Sequence, residues 1–324
     1  MKTRHFLQTI LSGVAIACGA CGAAMAQGTA PTQPIKIVVA TPAGGASDTA
    51  ARLLAQSLSK TLGQTVIVEN KPGGNGVIAL QAVMGAPANG QTLLWAMSSM
   101  AGLPYLLKTP PLKSLADFTP VAPAVQLMYG IFVNPKVPAT SVAELTAYIK
   151  ANPDQLNYGT GVLSEYLVTM HYLHSADLKA LRVPYKGGAQ VMPDLMSGEI
   201  QFNIGPLAPG LPHVKSGKLR LLATLPARGE IVPGVPSLAD SGIATDALPS
   251  WNGLIAPPGT PRELAARIAQ DVNHALGDPA LRAALEAQGF RVMGGTPQQM
   301  GALVDSATAT WQKFIRDYNI PMEQ

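Results

Sequence analysis

The chain has 324 residues, 47% hydrophobic and 13% charged, which is enough apolar material for one large domain or two of ordinary size and excludes a disordered chain. Its formal charge is only +4 and no run of lysine or arginine marks a patch, so no nucleic-acid partner is expected.

Met1 to Ala26 stands apart from the rest of the chain. Lys2 and Arg4 make a basic start, Ile10 to Ala17 is mostly apolar, and Ala24-Met25-Ala26 has the spacing of a cleavage site, so the segment reads as a secretory signal peptide ending near Ala26. Its apolar run is far shorter than the roughly 20 residues that span a bilayer. Cys18 and Cys21 both fall inside it, so the mature chain is expected to have neither a disulfide nor a thiol nucleophile. Lipid attachment at one of them is the weaker alternative, because Ala15-Ile16-Ala17-Cys18 only loosely fits a lipoprotein cleavage box. Without Lys2 and Arg4 the 23 basic residues become 21, against 19 acidic, a net of +2.

Ile35, Ile37, Val38 and Val39 form a β-branched run that reads as a buried strand, and Ala50 to Leu58 repeats apolar residues at helical spacing. Between them lies Pro42-Ala43-Gly44-Gly45-Ala46-Ser47-Asp48. The glycines let the backbone turn sharply, Ser47 or Asp48 can cap the helix, and N–H groups backed by the helix dipole favour an anion. The bland reading of the same loop is a strand-to-helix connection. Thr65 to Val68 is a second strand, followed by the glycine-rich Gly73-Gly74-Asn75-Gly76 and a helix from Val77 to Met84; Thr92 to Met97 is a third strand, with Ser98 and Ser99 at its carboxyl end. Strands alternating with helices imply a parallel sheet whose ligands sit beyond the carboxyl ends, so the loops at Gly44, Gly73 and Ser98 are expected on one side.

Val121 to Val133 reads as strand, and Ser141 with Glu144 opens a helix as a capping box. Gly159-Thr160-Gly161-Val162-Leu163-Ser164-Glu165 is again a glycine-bearing loop leading into a helix, so the opening device recurs on a second unit. Leu181 to Pro184 is a strand entering the turn at Tyr185-Lys186-Gly187-Gly188; Ala189 to Met196 is a helix, and Ile200 to Ile204 and Leu219 to Thr224 are strands. Trp251 to Ala256 looks like a strand returning to the first unit, Thr260 is expected to cap the next helix, and Glu263 to Leu276, Pro279 to Gln288 and Pro297 to Tyr318 are helical.

PIKIVVATPAGGASDTAARLLAQSL, LGQTVIVENKPGGNG, ELTAYIKANPDQLNYGTG, VPYKGG with DLMSG, and WNGLIAPPGTP occur in the order seen in the Bug family, which the chain resembles from about Pro34 to Tyr318. These are the periplasmic solute receptors of tripartite tricarboxylate transporters. The resemblance implies an α/β fold: a two-domain Venus-flytrap of the type II periplasmic-binding-protein class, with a mixed, mainly parallel sheet in each domain. Domain one would be residues 34–130 with 251–324, and domain two 131–250. The implied ligand is a small organic carboxylate (di-, tri- or aromatic), held by backbone N–H groups and small hydroxyls rather than an arginine clamp. The matching positions are Gly44, Gly45, Ala46 and Ser47 on the first domain and Thr160, Gly161 and Ser164 on the second, with Ser98 and Ser99 as further candidates and Tyr185 near the cleft. Asp48 matches the acidic residue that closes the first motif and suits a helix cap better than an anion contact. The implied partners are the membrane permease subunits of such a transporter, the implied location is the periplasm, no cofactor is implied, and a monomer is expected.

The chain departs from the family pattern at Val162-Leu163 and Glu165-Tyr166, where more glycine and serine is usual; Leu163 and Tyr166 are expected to make that wall more apolar, suiting a longer or aromatic acid. His171 and His174 lie three apart on a helix, but without a third ligand nearby they read as surface or core histidines rather than a metal site. Lys186 can reach an anion, although a structural turn is the ordinary reading. Arg52 is expected to pair with Asp48, Arg182 and Arg220 to be solvated, and Trp95, Trp251 and Trp311 to be packing residues rather than stacking platforms. An enzyme is the rival class. Against it, the mature chain has no cysteine, no GxSxG, no HExxH and no phosphate loop ending in Gly-Lys-Ser or Gly-Lys-Thr. A receptor that presents its ligand to a membrane sensor is a third reading.

Overall fold

The β-branched run near the start becomes β1 (Ile35–Val39), which is paired in parallel on both sides. In this computed structural model the described residues are 33–226, 232–243 and 248–322; the expected signal peptide, with Cys18 and Cys21, lies outside them. After β1 come α1 (Ala46–Leu62), β2 (Val66–Asn70), α2 (Val77–Met84), β3 (Thr92–Met97), α3 (Leu103–Leu106) and β4 (Thr119–Leu127). There follow β5 (Tyr129–Val133), α4 (Val142–Ala151), β6 (Asn157–Thr160), α5 (Leu163–Ser175), β7 (Leu181–Pro184), α6 (Val191–Ser197), β8 (Phe202–Pro206), α7 (Leu207–Lys215) and β9 (Arg220–Leu225). The chain then runs through β10 (Trp251–Ala256), α8 (Arg262–Leu276), α9 (Pro279–Ala287), β11 (Phe290–Val292) and α10 (Pro297–Asp317).

The strands form a six-stranded sheet, β11-β4-β10-β3-β1-β2, and a five-stranded sheet, β7-β6-β8-β5-β9. Both are mixed. Parallel pairs join β2, β1 and β3 in the first and β7, β6 and β8 in the second, whereas β10, β4, β11, β5 and β9 pair antiparallel. Parallel pairing therefore does not predominate as expected, because the strands flanking the passage from one sheet to the other run back alongside their neighbours. The single strand expected from Val121 to Val133 is two. Met128 separates β4 in the first sheet from β5 in the second, and its carbonyl accepts the Leu207 N–H at 2.8 Å. Both flanks are apolar and buried, so periodicity alone does not reveal the break. The short β11, which pairs Phe290 to Val292 with β4, was not foreseen.

Burial follows the patterns that make the elements. Ile37 and Val39 of β1 and Leu54 and Leu58 of α1 join one core, and each such side chain contributes about 1.5–3 kcal/mol on leaving water. A second cluster packs Val191, Met192 and Leu195 of α6 with Phe132 of β5 and Leu207 of α7. Trp95, Trp251 and Trp311 are buried core residues, as expected; Trp311 Nε1 donates to the Ser98 carbonyl at 2.8 Å. The α8 cap differs from expectation: Pro261 stands at the N-cap and Thr260 Oγ1 donates to the Pro257 carbonyl instead. At α4, Ser141 accepts from the Glu144 N–H, but Glu144 reaches back to Thr140 rather than completing a box on Ser141.

Candidate functional site

Parallel strands direct their carboxyl ends the same way, so β1, β2 and β3 deliver residues 41–47, 72–76 and 98–99 to one place, where they meet 161–165 and 185–190 from the second sheet. Two adjoining cavities of about 80 Å³ and about 410 Å³ lie between these loops and share Thr41, Pro42, Met97, Val162 and Gln190 as a common wall. The loops are close. A methyl on Gly187 would sit 3.2 Å from the Pro42 ring, and one on Gly161 would sit 2.1 Å from the Gly187 carbonyl carbon and Gly188 nitrogen.

Two helices begin at the smaller cavity. The N-caps of α1 and α5, Gly45 and Val162, bring no side-chain bond to the first turn, and Ala46, Ser47 and Ser164 in those turns line the cavity. First-turn N–H groups have no partner within a helix, and here two positive helix ends converge on one space. Among the described residues, its lining includes no lysine, arginine or histidine.

Each candidate residue has a definite place. Gly45, Ala46, Ser47, Ser98 and Ser164 line the smaller cavity, and Ser99, Gly161 and Tyr185 the larger. Gly44, Asp48 and Thr160 line neither. Gly44 donates its N–H to Asp48 Oδ2 at 2.9 Å, and Thr160 Oγ1 accepts from Arg182 Nε at 2.9 Å. Ser98 Oγ donates to the Pro249 carbonyl at 2.9 Å, and Tyr185 Oη to Asp194 Oδ2 at 2.6 Å.

Neither Ser47 nor Asp48 is the N-cap of α1, as both lie inside its first turn. Asp48 instead reaches back to Gly44, pairs with Arg52 Nε at 2.9 Å as expected, and accepts from Asn70 Nδ2 at 2.8 Å. Burial works against its charge, yet the bonds from Arg52, Gly44 and Asn70 hold its carboxyl below the ordinary value. Ser47 faces the core side. With its amide oriented to satisfy both ends, Asn252 accepts from the Ser47 hydroxyl at 2.8 Å and from Trp95 Nε1 at 2.7 Å, and donates to the Trp251 carbonyl at 3.0 Å.

Several other expectations need correction. Arg182 is not merely solvated: besides bonding Thr160, its guanidinium sits 3.9 Å above the Tyr166 ring. Arg220 Nη1 donates to the Ala139 carbonyl at 2.6 Å. Both arginines stand on edge strands, where long apolar stems lie along the protein and the guanidinium meets local acceptors. Leu163 lines the larger cavity, but Tyr166 lies beneath Arg182 and lines neither. His171 Nδ1 is 2.8 Å from Tyr318 Oη, and His174 stacks on the Tyr318 ring at 4.6 Å. Lys186 is exposed and lines the larger cavity.

Several residues of the smaller cavity escaped sequence reasoning, Glu165, Tyr129 and Thr41 among them. Glu165, in the first turn of α5, is 1% exposed, and its Oε2 accepts the Gly161 N–H at 2.6 Å. Burial pushes its carboxyl up to about 7, although Gly161 and Asn203 favour the charged form. Tyr129 lies beside Ser164, and burial raises its phenol far above the ordinary value despite that hydrogen bond. Thr41 Oγ1 is buried with no hydrogen-bond partner among the described residues. The only sequence signal for Glu165 was an acid in a first helical turn after a glycine loop, which also describes routine dipole pairing.

Residues 50–320 match the tripartite tricarboxylate transporter family receptor. The chain is 32% identical over 311 residues to protein BugT of Bordetella pertussis, covering 94% of this chain and 95% of that one. Among solved structures, R. palustris Rpa4515 with adipate superposes with a TM-score of 0.84 at 30% identity, covering 90% of this chain and 99% of that one. The periplasmic binding protein BugD gives a TM-score of 0.83 at 26% identity over the same shares. The fold is that of periplasmic binding proteins. The chain belongs to the tripartite tricarboxylate transporter receptor family, a family of binding proteins rather than enzymes.

Proposed function

We propose that this family member is a periplasmic receptor, without enzymatic activity, that captures a small organic carboxylate between two lobes and delivers it to the permease subunits of a tripartite tricarboxylate transporter. The observation that carries the reading is the convergence of the α1 and α5 N-termini on a cavity whose described lining includes no cationic side chain. The structure of Rpa4515 with adipate supports the same ligand class. Hydrogen bonds to a charged group contribute about 1.5–3 kcal/mol each, so several N–H and hydroxyl donors give micromolar binding after ordering costs. The lobes we infer are residues 34–130 with 251–324 and residues 131–250, each built around one sheet, with the boundary falling inside β5. Closure brings the Pro42 loop against the Gly187 turn and expels water.

A thermal-shift screen of the purified protein, refolded to remove co-purified ligand, tests this against aliphatic mono-, di- and tricarboxylates, aromatic acids and amino acids. A ligand specific to the folded state adds about 2.7 kcal/mol at a hundredfold excess over its Kd. A shift confined to carboxylates is expected; a flat screen overturns the ligand class.

A further inference from the structure

We propose that Glu165 enters ligand binding as a carboxylic acid, donating its O–H to the carboxylate of the ligand in the smaller cavity. The proposal rests on the carboxylate reading of the site and adds a proton to it. Glu165 and the first-turn residues Ala46, Ser47 and Ser164 line the same space of about 80 Å³. A ligand carboxylate held by those helix ends therefore lies within a few ångströms of the Glu165 carboxyl. At about 4 Å and an effective dielectric of about 20, two ionised carboxylates weaken binding by a factor of about a thousand. A shared proton removes the repulsion and turns it into a short, charge-assisted hydrogen bond.

The atoms are disposed for this. Glu165 Oε2 is occupied by the Gly161 N–H, while Oε1 lies against Gly188, another cavity residue, where even a methyl group would come within 2.5 Å of it. The Gly161 N–H takes Oε2, so the proton is placed on Oε1, with the Asn203 side chain as a further hydrogen-bond partner of the carboxyl. Among the described residues, the surrounding titratable and charged groups hold no counter-charge at the carboxyl. From β5 comes Tyr129, a neutral phenol that burial raises further; from β8 comes Asn203, whose side chain bonds the Glu165 carboxyl and brings no charge. Asp48 of α1 is engaged by Arg52, Asp194 of α6 takes the Tyr185 hydroxyl, Arg182 of β7 is bonded to Thr160 over Tyr166, and Lys186 stands exposed at the larger cavity. Without ligand, burial already pushes the Glu165 carboxyl up to about 7, so the proton is available near neutrality.

The test is calorimetry of the purified protein with adipate, malate, citrate and benzoate, in two buffers of different ionisation enthalpy. These acids are essentially fully ionised above about pH 7.5, where the proton uptake is read. For the tightest of them, proton uptake approaching one per ligand is expected above about pH 7, with Kd rising about tenfold per pH unit from about pH 7 to about pH 9. Glu165→Gln, which keeps shape and donates from its amide, is expected to bind without proton uptake and with a flat profile. Acid binding by the wild type with no proton uptake overturns the role of Glu165 and leaves the carboxylate reading standing. So does Glu165→Gln that loses binding more than about tenfold near pH 6, since a neutral donor then fails to replace it. No binding of any of the four acids from about pH 5 to about pH 9 overturns the carboxylate reading itself.

Discussion

The Ser47 hydroxyl lies 2.8 Å from the Asn252 side chain, joining residues 205 positions apart. The bond ties the first turn of α1 to β10, and Trp95 of β3 donates to the same Asn252 oxygen. Ser47 therefore spends its hydroxyl proton on the fold, so in the proposed site it would offer a ligand its backbone N–H, which Asn252 helps hold in place.

Ser47→Ala is expected to cost about 1 kcal/mol of stability and to weaken carboxylate binding several-fold through lost alignment, while remaining folded. Ser164→Ala is expected to weaken binding similarly, because its hydroxyl works beside Tyr129 at the cavity wall. Titration of both variants with the best acid from the screen checks this; unchanged affinity in both removes these side chains from recognition.

Gly161→Ala is expected to be far more damaging than Gly44→Ala. At Gly161 the added methyl would meet the backbone of Gly187 and Gly188 at 2.1 Å, so the two turns must part and the cavity walls with them. Overpacking of this kind costs about 1–3 kcal/mol or more, read as a lower urea midpoint, with binding lost. At Gly44 the space is open within 4 Å and the penalty is the left-handed φ of +84°, about 1 kcal/mol.

Glu165 also predicts how stability depends on pH. Its carboxyl titrates at an ordinary 4.5 in the unfolded chain and at about 7 in the fold, so between those values the folded state binds more protons. Stability then falls as pH rises from about 4.5 to about 7, by roughly 3 kcal/mol at most. Glu165→Gln lacks this slope. Urea unfolding at about pH 5 and about pH 8 is expected to show the variant gaining on the wild type at the higher pH; parallel curves would contradict it.

Asp48 has the opposite sign. Its carboxyl lies below 3.8 in the fold, so its contribution is present above the unfolded value and is lost as pH falls through the folded one. Asp48→Asn is expected to cost about 1–3 kcal/mol at neutral pH and to shrink the loss of stability on acidification, measured by thermal unfolding from about pH 7 to about pH 3.

Sequence alone determined most of the elements and the loops that line the cleft. Ile35 to Val39, the helix through Leu58 and the glycine turns announce themselves through β-branching, helical spacing and backbone freedom, all set by neighbours a few positions away. That locality also explains the placing of Ser47, Ser98, Gly161 and Ser164 on the cavity walls, since a strand's carboxyl end is legible without knowing what it faces. Tertiary structure alone decided the break at Met128, the diversion of Thr160 to Arg182 and of Gly44 to Asp48, and the burial of Glu165 in the smaller cavity. Each depends on a hydrogen bond, a sheet change or a loss of water. Whether a polar side chain is free for a ligand is settled by partners that only the folded chain brings within about 3 Å.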